Sequence, residues 1–96
     1  MKLNFVNNEI NVVGDIDRFN LIDKKLFSFP AMTSDVTIEL TNVTSVDTAG
    51  VAFLLKLVAF YQNQKLNVTL TNPPSQLIAL AQISNVLGLL PLKDNI

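Results

Sequence analysis

The sequence predicts an α/β fold: a mixed β-sheet of four to five strands flanked by helices. Three observations carry this reading. Val36, Ile38 and Leu40 alternate with polar residues, and so do Leu66, Val68 and Leu70, which is the period-two signature of a strand with one buried face. Between these runs, from about Gly50 to Gln64, lies an apolar stretch too long for a strand and broken by Lys56. Strands that alternate with helices imply that the later strands run parallel.

Taken in order, Leu3 to Val6 reads as a short strand, Asn7-Asn8 as a hairpin turn, and Ile10 to Val13 as a second strand ended by Gly14. Gly14-Asp15-Ile16-Asp17 is then a turn, with Asp17 placed to cap a helix. Phe19, Ile22, Leu26 and Phe29 form one helical stripe directed inward, and Pro30 stops it. Val36 to Leu40 is the third strand, and Val43 and Val46 lead into Asp47-Thr48-Ala49-Gly50. In the helix that follows, Val51, Leu54, Leu55, Val58 and Tyr61 form the face toward the sheet, with Ala52 and Ala59 at its flanks allowing close approach. Phe53 and Phe60 point the other way, around Lys56. Leu66 to Leu70 is the next strand. Asn72-Pro73 resembles a cap followed by proline at the first helical position, and Ser75 to Ser84 is a helix with Leu77, Leu80 and Ala81 inward. Val86 to Pro91 is a turn and short extended segment, and residues from Lys93 onward are expected to fray. The expected core includes Val36, Ile38, Leu54, Val58, Val68 and Leu70.

At 96 residues the chain fits one domain, 1–96, with one modest core. Apolar residues make up 49% and charged residues only 16%, against roughly a quarter in ordinary soluble domains, which favours a surface covered by a partner. An Asn- and Thr-rich polar surface is the plainer alternative. The formal charge of -1 and the lack of a basic tract remove a nucleic-acid footprint. With no Cys and no His, disulfides, Cys/His metal sites and histidine general-base chemistry are excluded. Asp15 and Asp17 have no further oxygen ligands at calcium-loop spacing, so no metal is expected. They also lack a companion nucleophile or cofactor loop, so neither enzymatic activity nor a cofactor is expected. The start of the chain carries no signal-peptide core, and no apolar run is long enough to span a bilayer; a cytoplasmic protein is the expectation.

Polar chemistry concentrates at Asp47-Thr48-Ala49-Gly50, where a strand hands over to a helix. Free backbone N–H groups lie beside an acid and a hydroxyl at such a junction. Two readings stand side by side. In the first, Asp47 or Thr48 is a simple N-cap and Gly50 permits close packing; no capping box forms, because neither Gly50 nor Val51 can reach back. In the second, the junction is a binding surface. Exposed Phe53 and Phe60 would add apolar anchors and Lys56 a rim contact. Packing of both rings inside the protein is the alternative.

Gly14-Asp15-Ile16-Asp17 and Val46-Asp47-Thr48-Ala49-Gly50 together resemble the two corresponding motifs of STAS domains, and the resemblance covers essentially the whole chain. Within that family, Asp-Thr-Ala-Gly followed by Val-Ala-Phe-Leu-Leu is similar to the STAS subunits of Mla-type phospholipid transporters (MlaB-like). That resemblance implies a non-catalytic subunit that binds and regulates or stabilises an MlaF-like ABC transporter ATPase. The complex maintains outer-membrane lipid asymmetry, and the subunit sits peripherally at the inner membrane through its partner. The partner-binding residues would be Asp47, Thr48, Ala49, Gly50, Phe53, Lys56 and Phe60. The alternative implied by the family is an anti-sigma-factor antagonist switched by phosphorylation at Thr48. Ala49 stands where antagonists commonly carry a second hydroxyl. The chain ends soon after Leu90-Pro91, so the last helix of full-length family members is expected to be missing.

Overall fold

In the computed structural model, which describes residues 1–22 and 28–93, the predicted mixed sheet is present. Strands β1 (Lys2–Val6) and β2 (Glu9–Ile16) form an antiparallel hairpin. Its turn places Asn7 at φ 53°, a left-handed conformation that Asn tolerates better than most residues. Strand β3 (Val36–Glu39) runs parallel to the first half of β2, and β4 (Val43–Val46) runs parallel to its second half. Within the β2–β4 pairing the register shifts between Gly14 and Asp15. Helix α1 (Thr48–Gln62) follows, then β5 (Val68–Thr71), parallel to β3, then α2 (Ser75–Ile83) and a 3-10 turn at Leu87–Leu89. The path across the sheet is β1-β2-β3-β5, with β4 beside β2.

Alternation explains the core. Ile10 and Val12, Val36, Ile38 and Leu40, and Val68 and Leu70 all turn to the helix-covered side and are buried. Val51, Leu54, Val58 and Tyr61 of α1 and Leu77 and Ala81 of α2 close over them. All six residues expected in the core are buried. The far side of the sheet carries residues such as Glu9, Thr37, Glu39 and Thr71. There Glu39 accepts hydrogen bonds from Thr41, from Thr71 at 2.8 Å and from the Asn72 amide at 3.1 Å. Partial burial pushes its carboxyl upward, but these donors outweigh it and hold the pKa at about 2.

Several local expectations are corrected. Phe19 and Ile22 are exposed (69% and 77%) rather than inward. The Asp17 carboxylate accepts from the Phe19 and Asn20 N–H groups at 3.1 and 3.0 Å, which winds residues 18–20 into a tight turn with the Phe19 ring outward. Residues 23–27 of the expected first helix, Leu26 included, lie outside those described; its last residue, Phe29, is in irregular backbone but does pack inward, against Phe53 and Phe60. The cap of α2 is Pro74, not Asn72. Asn72 adopts φ 52° and spends its amide on Glu39 instead. Leu55 is only half-buried, while Ala52 and Ala59 face solvent. Lys93 is held, its N–H donating to the Leu70 carbonyl at 3.0 Å. Among the described residues no helix is long and apolar enough to cross a membrane.

Candidate functional site

The site is built where the ends of β2 and β4 lie side by side, with Ile16 paired to Val46. The Asp47 N–H donates to the Ile16 carbonyl at 3.3 Å, so the chain leaves the sheet tied to its neighbour before α1 begins. Asp47 is the N-cap: its backbone is extended, and one carboxylate oxygen accepts from the Gly50 N–H at 2.9 Å. The other oxygen accepts from the Arg18 N–H at 3.0 Å, which ties the loop after β2 to the start of the helix. One acid therefore caps a helix and joins two chain segments. Burial pushes its carboxyl upward, but the N–H groups of Arg18, Gly50 and Ala49 outweigh that and hold it below the usual aspartate value.

Gly50 has a steric reason to be glycine. A Cβ there would lie 2.0 Å from the Ile16 carbonyl oxygen and 3.0 Å from the Val46 side chain. The first turn of α1 thus lies against the backbone of β2. Asp15, on the other side of the junction, accepts from the Thr44 hydroxyl and from the Ser45 hydroxyl at 2.7 Å, and these two donors lower its pKa. Gln76 of α2 accepts from the Val46 N–H at 2.9 Å, the last strand residue before the junction.

This frame presents Thr48 to solvent at the first position of α1. Ala52, Lys56 and Ala59 continue the exposed stripe along the helix. Arg18 and the exposed Phe19 stand on the loop tied to Asp47, the guanidinium lying 4.8 Å from the ring centroid. The surface combines a hydroxyl, small side chains, a cation–aromatic pair and an exposed lysine.

The structure brings Asp47, Thr48, Ala49 and Gly50 together with Lys56 on one helix, but it moves the aromatic residues. Phe53 is buried, 1% exposed, so the expectation that it offers apolar area to a partner is corrected. Phe29 packs edge-on against Phe53 and Phe60, with centroids 5.9 and 5.4 Å apart, and Phe60 is partly buried against the core. The Tyr61 hydroxyl donates to the Pro30 carbonyl at 2.7 Å, which fixes the same covering segment. The flank of α1 that carries Phe53 and Phe60 is therefore an internal layer, while Ala52, Lys56 and Ala59 stay exposed. Sequence reasoning missed Arg18, Phe19 and Gln76 as parts of the site. Only Phe19 carried a signal, an aromatic next to a turn acid, and its periodicity directed it to the core instead.

Against known proteins, the family model described as "Mlab, STAS domain" matches residues 2–91. No curated protein matches the chain. Among solved structures, the chain is similar to the anti-sigma factor antagonist SpoIIAA in its unphosphorylated form. The TM-score is 0.65 and the identity 17%, with 98% of this chain and 88% of that one covered, a likeness that concerns the fold. STAS domains are regulatory, non-catalytic folds, in keeping with a site that presents side chains outward around Thr48. With the model matched over nearly its whole length, this chain belongs to the STAS domain family.

Proposed function

We propose that the chain is a non-catalytic docking subunit that engages a protein partner through the exposed start of α1. The observation that carries this is the framing of Thr48. An acid cap, a glycine contact and a cross-loop hydrogen bond hold a residue that faces solvent. Rigid presentation lowers the ordering cost of binding.

The likeness to an antagonist in its unphosphorylated form favours a signalling partner. In this reading Thr48 is a phosphorylation site. A phosphate there adds about -1.5 to -2 charge at a surface built for a neutral hydroxyl, next to the Asp47 carboxylate, and releases the partner. The description of the matching family favours a second reading, an MlaF-like ABC transporter ATPase as partner in a complex that maintains outer-membrane lipid asymmetry. Here Thr48, Ala52, Lys56 and Ala59 meet the ATPase directly, and Thr48 stays unmodified.

One experiment separates them. The native protein is captured from its own cells, its partner identified, and its intact mass measured with and without phosphatase. An anti-sigma kinase as partner together with a phosphatase-sensitive mass on Thr48 supports the first reading. An ATPase of a lipid transporter with unmodified Thr48 supports the second. Either partner binding Thr48→Arg as tightly as wild type refutes the docking face.

A further inference from the structure

The two edges of the sheet are treated differently. At one edge, the Leu70 N–H of β5 donates to the Pro91 carbonyl at 2.8 Å, and the Lys93 N–H returns to the Leu70 carbonyl at 3.0 Å, so residues 91–93 cover that strand. At the other edge, among the described residues, β1 pairs only with β2. It has no proline and no bulge, and a single lysine at its end, few of the devices that usually blunt an open edge.

The hydrogen-bonding parity of this edge follows from the hairpin. A two-residue loop closes on Val6 and Glu9, which exchange both backbone hydrogen bonds. The pairs Asn4–Asn11 and Lys2–Val13 do the same, by alternation. The N–H and C=O groups of Leu3 and Phe5 therefore point away from β2, toward open solvent. Phe5 is 40% exposed and Val6 61% exposed beside them.

We propose that a second copy of this chain pairs with the open edge of β1, antiparallel about Asn4, joining two sheets into one. In that register Leu3 lies opposite Phe5 of the second copy, and Phe5 opposite its Leu3. All four outward-pointing backbone groups of each strand then find partners. On the helix-covered side the two apolar pairs cover the exposed part of Phe5. On the far side Lys2 lies opposite the second copy's Val6, whose neighbour across the hairpin is Glu9. The lysine stem covers Val6 and its ammonium reaches toward Glu9, twice by symmetry, so charge is complementary across the seam. Only Asn4 meets itself, as a non-hydrogen-bonded pair whose Cα atoms lie about 4.5 Å apart. An isologous twofold contact of this kind closes on itself as a dimer.

Sedimentation equilibrium of the full chain over a range of concentrations tests this, with Asn4→Lys and Asn4→Glu measured alone and mixed. Asn4 is exposed, and circular dichroism checks that each variant folds. The wild type is expected to dimerise. Each variant alone places like charges opposite one another and weakens the dimer about fivefold or more. Mixing the two variants restores it. Hydrogen exchange at the Leu3 and Phe5 amides slows as the wild type is concentrated. A wild type that stays monomeric at every concentration overturns the proposal and leaves the edge to a strand of another protein. So does a dimer indifferent to both charges, or a mixture no tighter than either variant alone.

Discussion

Both helices start at the C-terminal ends of parallel strands, yet the two starts are built differently. At α1 the cap is a side chain with two backbone N–H groups on its carboxylate, and glycine lets the helix touch β2. At α2 the cap is Pro74, with φ -67° and no side-chain hydrogen bond. That start is set by the fixed proline dihedral and by burial of Leu77. Its first turn even serves the other helix, because Gln76 satisfies the Val46 N–H. A helix that only has to cover the sheet needs a preset dihedral and an apolar face. A helix that must hold one exposed residue in place needs the cross-links found around Thr48.

The largest expected effect breaks that difference at Gly50. Gly50→Ala forces a Cβ to within 2.0 Å of the Ile16 carbonyl oxygen, a backbone atom that cannot swing aside as a flexible side chain can. Denaturant unfolding should show a loss of about 3 kcal/mol or more, while Gly88→Ala, with nothing within 4 Å, stays within about 0.5 kcal/mol. Asp47→Ala comes next. Loss of the cap should cost about 0.5–2 kcal/mol and free the loop carrying Arg18 and Phe19, seen as faster hydrogen exchange at the Arg18 amide. Pro74→Ala should cost less, about 0.4–1 kcal/mol, acting through the unfolded chain, with no change at Arg18.

Acidification probes the same carboxylates. Asp15, Glu39 and Asp47 all titrate lower in the folded protein than their ordinary values. Each therefore contributes stability above its unfolded pKa and loses it as the pH falls toward the folded one. For Glu39 the window runs from its ordinary 4.5 down to about 2. Unfolding curves taken stepwise through that window should show declining stability, and Glu39→Gln should flatten the decline. An unchanged slope would mean that the Thr41, Thr71 and Asn72 donors do not favour the charged form.

Much of this was legible in the sequence. Val36, Ile38 and Leu40 announced a strand by alternation, and Asp47-Thr48-Ala49-Gly50 announced a helix start by residue type. Contacts between distant segments were not. Asp15 meets Thr44 and Ser45 across 29 and 30 residues, and Arg18 meets Asp47 across 29, distances at which no periodicity carries information. Phe53 was misplaced because a helical wheel assigns one buried face, whereas α1 is covered on two sides, by the sheet and by Phe29. The stripe of Phe19 and Ile22 misled for the opposite reason. Its spacing suited a helix, but the bonds to Asp17 wind only a tight turn at residues 18–20, and Phe19 and Ile22 face solvent.

The contrast between the two helix starts also gives the most direct test of docking. Thr48 and Ser75 are both exposed first residues of their helices. The partner that co-purifies with the native protein is titrated against wild type, Thr48→Arg and Ser75→Arg, each verified as folded. Thr48→Arg should weaken binding at least about tenfold, an added bulk and charge at the centre of a packed interface, while Ser75→Arg leaves it unchanged. Equal affinity for Thr48→Arg and wild type, or an equal loss at both positions, would contradict the account.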